Sequence, residues 1–96
     1  MTQQLERNNA GLPVRTLGRT GLKVSIVGFG GGDFVRPHLD EAMSIRLVHA
    51  AIDAGMTFMD NAFEYADGEA ERRMGLALKG RRDQVTLMTK VCARDR

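Results

Sequence analysis

Three short apolar runs, at residues 24–29, 56–59 and 84–89, are separated by segments whose apolar residues recur at helical spacing. A repeat of about 30 residues is the size of one βαβ unit. Strands joined through helices run parallel, so the chain is confined to the opening of a parallel α/β fold. Right-handed crossovers then put both helices on the same side of the sheet. Such folds gather the carboxyl ends of their strands on one rim, and chemistry is carried there. Asp60, Tyr65 and Lys90 each follow an apolar run and so belong to that rim.

The individual elements can be read around this frame. Residues 14–24 form a predicted β-hairpin, with Arg15-Thr16-Leu17 and Leu22-Lys23-Val24 flanking the turn Gly18-Arg19-Thr20-Gly21. Val24 to Phe29 is nearly all apolar, as expected of a parallel strand covered on both faces. A first helix is predicted from Asp40 to Ala54, with Ile45, Val48 and Ile52 on its inner face and Gly55 as a left-handed stop. The second strand is Met56 to Met59, the second helix runs from about Glu69 to Lys79 with Gly80 as its stop, and the third strand is Gln84 to Thr89. Residues 1–12 read as a polar, disordered or loosely attached tail, and residues 13–96 as one domain.

The composition narrows the function classes. A net charge of +2, with acidic and basic residues interspersed, points to neither a nucleic-acid nor a membrane partner. The basic group Arg72, Arg73, Lys79, Arg81 and Arg82 reads as a solvated helix face rather than a phosphate-binding patch. The single cysteine, Cys92, cannot form an intramolecular disulfide and fits a reducing compartment. There is no signal-peptide core, and no run approaches the ~20 apolar residues that cross a bilayer. The expectation is a soluble cytoplasmic protein.

The glycine run Gly28-Phe29-Gly30-Gly31-Gly32-Asp33 resembles a dinucleotide fingerprint only superficially. Asp33 stands where the third glycine belongs, and Pro37 delays the helix that should meet a pyrophosphate. The glycines instead suit a close approach of backbone to something flat at the rim, such as a nicotinamide or a substrate. A flexible strand exit explains them equally well in isolation.

A carboxylate, a phenol and an amine on one rim suggest a proton-transfer site. A free tyrosine ionises near pH ~10 and is a poor acid–base catalyst at neutral pH. A lysine within about 4–6 Å, itself oriented by a carboxylate, is the simplest remedy. Taken one at a time, Asp60 reads more readily as a loop cap, Tyr65 as a surface aromatic and Lys90 as a solvated lysine.

Several ordered blocks decide between these readings. Residues 15–24 (Arg-Thr-Leu-Gly-Arg-Thr-Gly-Leu-Lys-Val), then Gly28-Phe29-Gly30-Gly31, Asp60-Asn61-Ala62, Tyr65, Gly68, Glu71, Gly75, Ala77-Leu78-Lys79, Arg82-Asp83 and Thr89-Lys90 follow one pattern. From about Arg15 to Val91 it resembles the N-terminal third of the aldo-keto reductase superfamily, especially its bacterial members. The resemblance implies a partial (β/α)8 TIM barrel with a hairpin closing its bottom. It also implies reduction of an aldehyde or ketone by hydride transfer from a nicotinamide cofactor, NADPH by the family's habit, with NADH open. By the same resemblance Tyr65 is the general acid and Lys90 the ammonium that eases its proton loss. Asp60 is the partner of Lys90 and a neighbour of the nicotinamide ribose, and Gly30 and Gly31 pass beneath the nicotinamide. A small carbonyl compound is the implied substrate, and no metal is implied.

The family's fourth catalytic residue, a histidine after the fourth strand, has no counterpart here. His38, in the first rim loop, reads as solvated, and His49 as structural or exposed. A TIM barrel takes about 250 residues, and the later loops that hold cofactor phosphates have no counterpart in this sequence. The expectation is therefore a catalytically incomplete portion of a reductase. Its two strand edges would be open, and a barrel-lining face would carry Val27, Phe58 and Leu87. The alternative is a non-catalytic module that associates with itself or another protein through that open edge.

Overall fold

The computed structural model describes residues 5–37, 39–91 and 93, so His38 and Cys92 lie outside the described residues. An antiparallel hairpin comes first: β1 (Val14–Thr16) pairs with β2 (Lys23–Ser25), Val14 opposite Ser25. A three-stranded parallel sheet follows, in the order β3 (Gly28–Gly30), β4 (Phe58–Asp60), β5 (Thr86–Met88). Helix α1 (Glu41–Asp53) joins β3 to β4, and α2 (Glu69–Ala77) with a 3-10 turn (Arg82–Gln84) joins β4 to β5. This is the order of a (β/α)8 barrel's opening, hairpin included.

The apolar run at 24–29 divides between two sheets, contrary to the single strand expected. Val24 and Ser25 belong to the hairpin, and the parallel strand begins only at Gly28. Ser25 explains the break. Its hydroxyl donates to the Val27 carbonyl at 2.7 Å and accepts from the amides of Thr57 and Phe58 at 3.0 and 3.3 Å. The chain is thus bent at Ile26–Val27 and tied to the start of β4. The other two strands also start later than expected: residues 82–84 are drawn into the 3-10 turn, and pairing starts only at Phe58 in β4.

Helix α1 starts where Asp40 accepts from the Met43 amide at 2.8 Å, and Glu41 places a carboxylate in the first turn. It ends at Gly55, whose φ of +97° suits glycine alone. Gly55 also meets the N-terminal segment, because an added Cβ would lie 3.0 Å from Ala10, Asn8 and Leu12. Residues 5–12, expected as part of a loose tail, are attached here. Arg7 bridges to Pro13, and Asn8 donates to the Gly55 carbonyl at 2.9 Å.

Strand parity sorts the sheet's two faces. Phe29, Met59 and Leu87 are in register and face the helices, where Met59 joins Val48 and Ile52 of α1 with Ala70, Met74 and Ala77 of α2. Both helices therefore cover one face. Leu87 belongs to that core, not to the barrel-lining face expected of it. Phe58 does line the other face, with Gly28, Gly30, Asp60, Ile26 and Met88, around an open groove of about 360 Å³. Val27 precedes the strand and is exposed. No helix among the described residues is long and apolar enough to cross a membrane.

Candidate active site

The carboxyl ends of β4 and β5 lie side by side, Asp60 opposite Met88, and the chain leaves both toward the same rim. Backbone bonds continue the alliance beyond the strands. The Asn61 amide donates to the Met88 carbonyl at 2.8 Å and the Phe63 amide to the Lys90 carbonyl at 3.1 Å. Lys90 is thereby held beside the loop that carries Tyr65.

The Lys90 ammonium donates a short hydrogen bond to Asp60 Oδ1. Its Nζ also stands 5.3 Å from the centre of the Tyr65 ring. The structure therefore brings Asp60, Tyr65 and Lys90 together. Their electrostatics follow: the Asp60 hydrogen bond, and secondarily the Tyr65 phenol, raise the Lys90 pKa above the ordinary lysine value. Desolvation, second in size to the Asp60 hydrogen bond, acts in the opposite direction. The cation is thus kept charged beside the phenol.

Tyr65 leads into a tight turn. Ala66, Asp67 and Gly68 all take positive φ, at 56°, 52° and 92°. Two of the three carry a Cβ that disfavours this region, and the turn holds because its amides are used. Gly68 donates to the Phe63 carbonyl at 2.7 Å and Ala70 to that of Tyr65 at 3.3 Å.

The two glycines differ. Gly31 packs on Asn61 so closely that a Cβ would lie 2.6 Å from its Oδ1, and its amide donates to the Asp60 carbonyl at 2.7 Å. Its missing side chain is accounted for inside the protein. Gly30 has nothing within 4 Å of its would-be Cβ and faces the open groove beside Asp60. Asn61 itself is buried and lies at this junction, a position to which sequence reasoning assigned no role. Its signal was only its place between Asp60 and Tyr65.

The remaining candidates lie away from the rim triad. His49 Nε2 lies 2.8 Å from the Ala77 carbonyl, linking α1 to the end of α2, which requires a proton on that nitrogen. The basic group is largely engaged in structure. Arg72 bridges Glu69 and Glu41, Arg81 pairs with Asp53, and Arg82 donates to the Val85 carbonyl at 3.3 Å. Arg73, with 14% of its side chain exposed, pairs with Glu69 and donates to the Leu39 carbonyl and the Ser44 hydroxyl at 2.9 and 2.7 Å. Arg73 is an internal tie rather than the solvated residue expected. Among the described residues no three His, Cys, Asp or Glu side chains converge as metal ligands.

A parallel α/β unit with a carboxylate, an ammonium and a phenol gathered past its strand ends defines the class of protein. Residues 26–96 match the aldo/keto reductase family. The chain belongs to that family. It is 41% identical over 76 residues to the aldo-keto reductase YhdN of Bacillus subtilis, a match covering 74% of this chain and 23% of that protein. It is 40% identical over 80 residues to a probable voltage-gated potassium channel subunit beta of Oryza sativa, covering 80% and 24% respectively. An aldo-keto reductase of Bacillus halodurans, solved in its holo form, superposes with a TM-score of 0.79 at 35% identity, over 88% of this chain and 28% of that one. The chain thus spans about a quarter of the length of the curated relatives it matches.

Proposed function

We propose that this chain provides the proton-donating part of a nicotinamide-dependent carbonyl reductase, with NADPH as the preferred cofactor. The observation that carries the reading is the contact set Asp60–Lys90–Tyr65 at the strand ends of a chain in this family. Tyr65 gives its phenolic proton to the carbonyl oxygen of an aldehyde or ketone. Lys90 stabilises the negative charge this leaves on the phenol oxygen, and Asp60 keeps the lysine aimed and charged. The groove beside Gly30 and Asp60 has the free space a flat ring needs, so these two residues would hold the nicotinamide end of the cofactor. When bound, that group supplies the hydride. Gly31 contributes through its backbone, since Asn61 fills the space at its Cα.

The test has two parts. Quenching of NADPH fluorescence on titration with the full chain reports cofactor binding, with NADH as the comparison. Carbonyl-dependent oxidation of NADPH is then compared between the wild type and Tyr65→Phe, each in a chain completed with the later barrel units. Loss of the general acid should lower the rate by about 10²–10⁴ with cofactor binding retained. Equal rates in the two proteins would refute the assignment of Tyr65.

A second reading rests on a separate observation. Ile26 and Met88 are exposed on the open sheet face, and β3 and β5 each have one unpaired edge among the described residues. On this reading the chain associates through that face, with itself or with another protein. Sedimentation over a range of concentrations tests self-association: a mass constant at the monomer value speaks against it.

A further inference from the structure

We infer that Asn61 is a positioning residue, fixing the Tyr65-bearing turn against Lys90 through its side-chain amide. The catalytic consequence rests on the proposed carbonyl reduction, whereas the geometry does not.

Asn61 is 1% exposed, and both ends of its amide are engaged. Oδ1 accepts from the Ala62 amide at 2.9 Å, shaping the first residue of the loop. Nδ2 crosses the loop to donate to the Ala70 carbonyl at 3.2 Å, in the first turn of α2. Ala70 in turn donates its amide to the Tyr65 carbonyl at 3.3 Å. The side chain thus closes the loop from 61 to 70 and reaches the backbone of Tyr65 in two hydrogen bonds. From the other side, the main chain of Asn61 is tied to β5 at Met88, and Gly31 of the β3 exit is pressed against Oδ1.

Three strand exits and the turn therefore meet at one residue, with its side-chain amide joining the β3 exit, the loop and α2. The strained run 66–68 needs this closure, since positive φ at Ala66 and Asp67 biases the open loop toward other conformations. A buried amide with both ends satisfied is costly to disturb and defines one geometry. In this site that geometry is the Tyr65–Lys90 separation. A purely structural Asn61 would stabilise the fold without setting that separation.

The test uses the full 96-residue chain, isotopically labelled for NMR; Tyr65 is its single tyrosine and there is no tryptophan. Two quantities report the contact: the nuclear Overhauser effect between the Tyr65 ring and the Lys90 ε-methylene protons, and the ring-induced upfield shift of those protons. Asn61→Leu fills similar volume but makes neither hydrogen bond. Asn61→Ser is smaller and can keep at most the bond to Ala62. The expected result is loss of both reporters in each variant, with the hairpin and α1–α2 amide shifts kept. Retention of the contact in a folded variant overturns the inference, because filling the space would then suffice. Global loss of structure in both variants also overturns it, in favour of a structural role alone. No NADPH enters this experiment, so failure of the functional proposal and failure of this one are separately visible.

Discussion

At the scale of single residues, the site is an ammonium shared between a carboxylate and a phenol. The Lys90 pKa is raised in the folded state, chiefly by the Asp60 hydrogen bond. Its contribution to stability is therefore fully present below the ordinary lysine value of 10.5 and fades as pH rises through the higher folded value. Asp60→Asn should flatten that alkaline loss, which denaturant melts between pH 9 and 12 would register. Gly31→Ala brings a Cβ within 2.6 Å of Asn61 Oδ1 and 3.2 Å of the Asp60 carbonyl. A destabilisation of about 1–3 kcal/mol is expected from such crowding. Ala66→Gly should act in the opposite direction. It relieves a left-handed Cβ clash of about 1–2 kcal/mol against an entropic loss of about 0.5–1 kcal/mol. A higher midpoint in urea than the wild type checks this.

At the scale of elements, the two helices are tied to each other by side chains as well as packed on the sheet. Arg72 spans Glu69 of its own helix and Glu41 of α1, while Arg73 reaches under them to Ser44 and the Leu39 carbonyl. The two arginines hold the Glu69 carboxyl down at about 2, Arg72 contributing more than Arg73. A depressed carboxyl stabilises the fold above its unfolded value of 4.5, and that contribution is lost as pH falls from there toward 2. Glu69→Gln should accordingly remove part of the acid sensitivity in that window, read by circular dichroism. These ties were hidden from sequence reasoning because charges at helical spacing look alike whether they face water or a neighbouring helix. Only α1 lying beside α2 turns Arg73 inward.

At the scale of the whole molecule, one face of the sheet is finished and the other is open. Under the helices, Met59, Val48 and Met74 are almost fully buried, and Met59→Ala should cost about 2–5 kcal/mol in equilibrium unfolding. On the opposite face Phe58, Ile26 and Met88 border a groove rather than a core. Within that face Asp60 lies next to the apolar residues, so the proposed site adjoins the end of the strand that also lines the groove. If this face drives association, Met88→Lys should shift the sedimentation profile toward the monomer.

Much was settled by the order of residues along the chain. The βα alternation, the start of the first helix near Asp40, its stop at Gly55, and the nearness of Asp60, Tyr65 and Lys90 all follow from local pattern, because parallel strands joined by helices must bring their ends to one rim. Strand limits and facing did not follow from it. An apolar run cannot say which of two sheets its residues join, so Ser25 went to the hairpin, and parity measured from the true strand start turned Leu87 inward. The linking of the site through Asn61 was likewise invisible, since an amide's partners, Ala70 and Gly31, are chosen by packing in three dimensions.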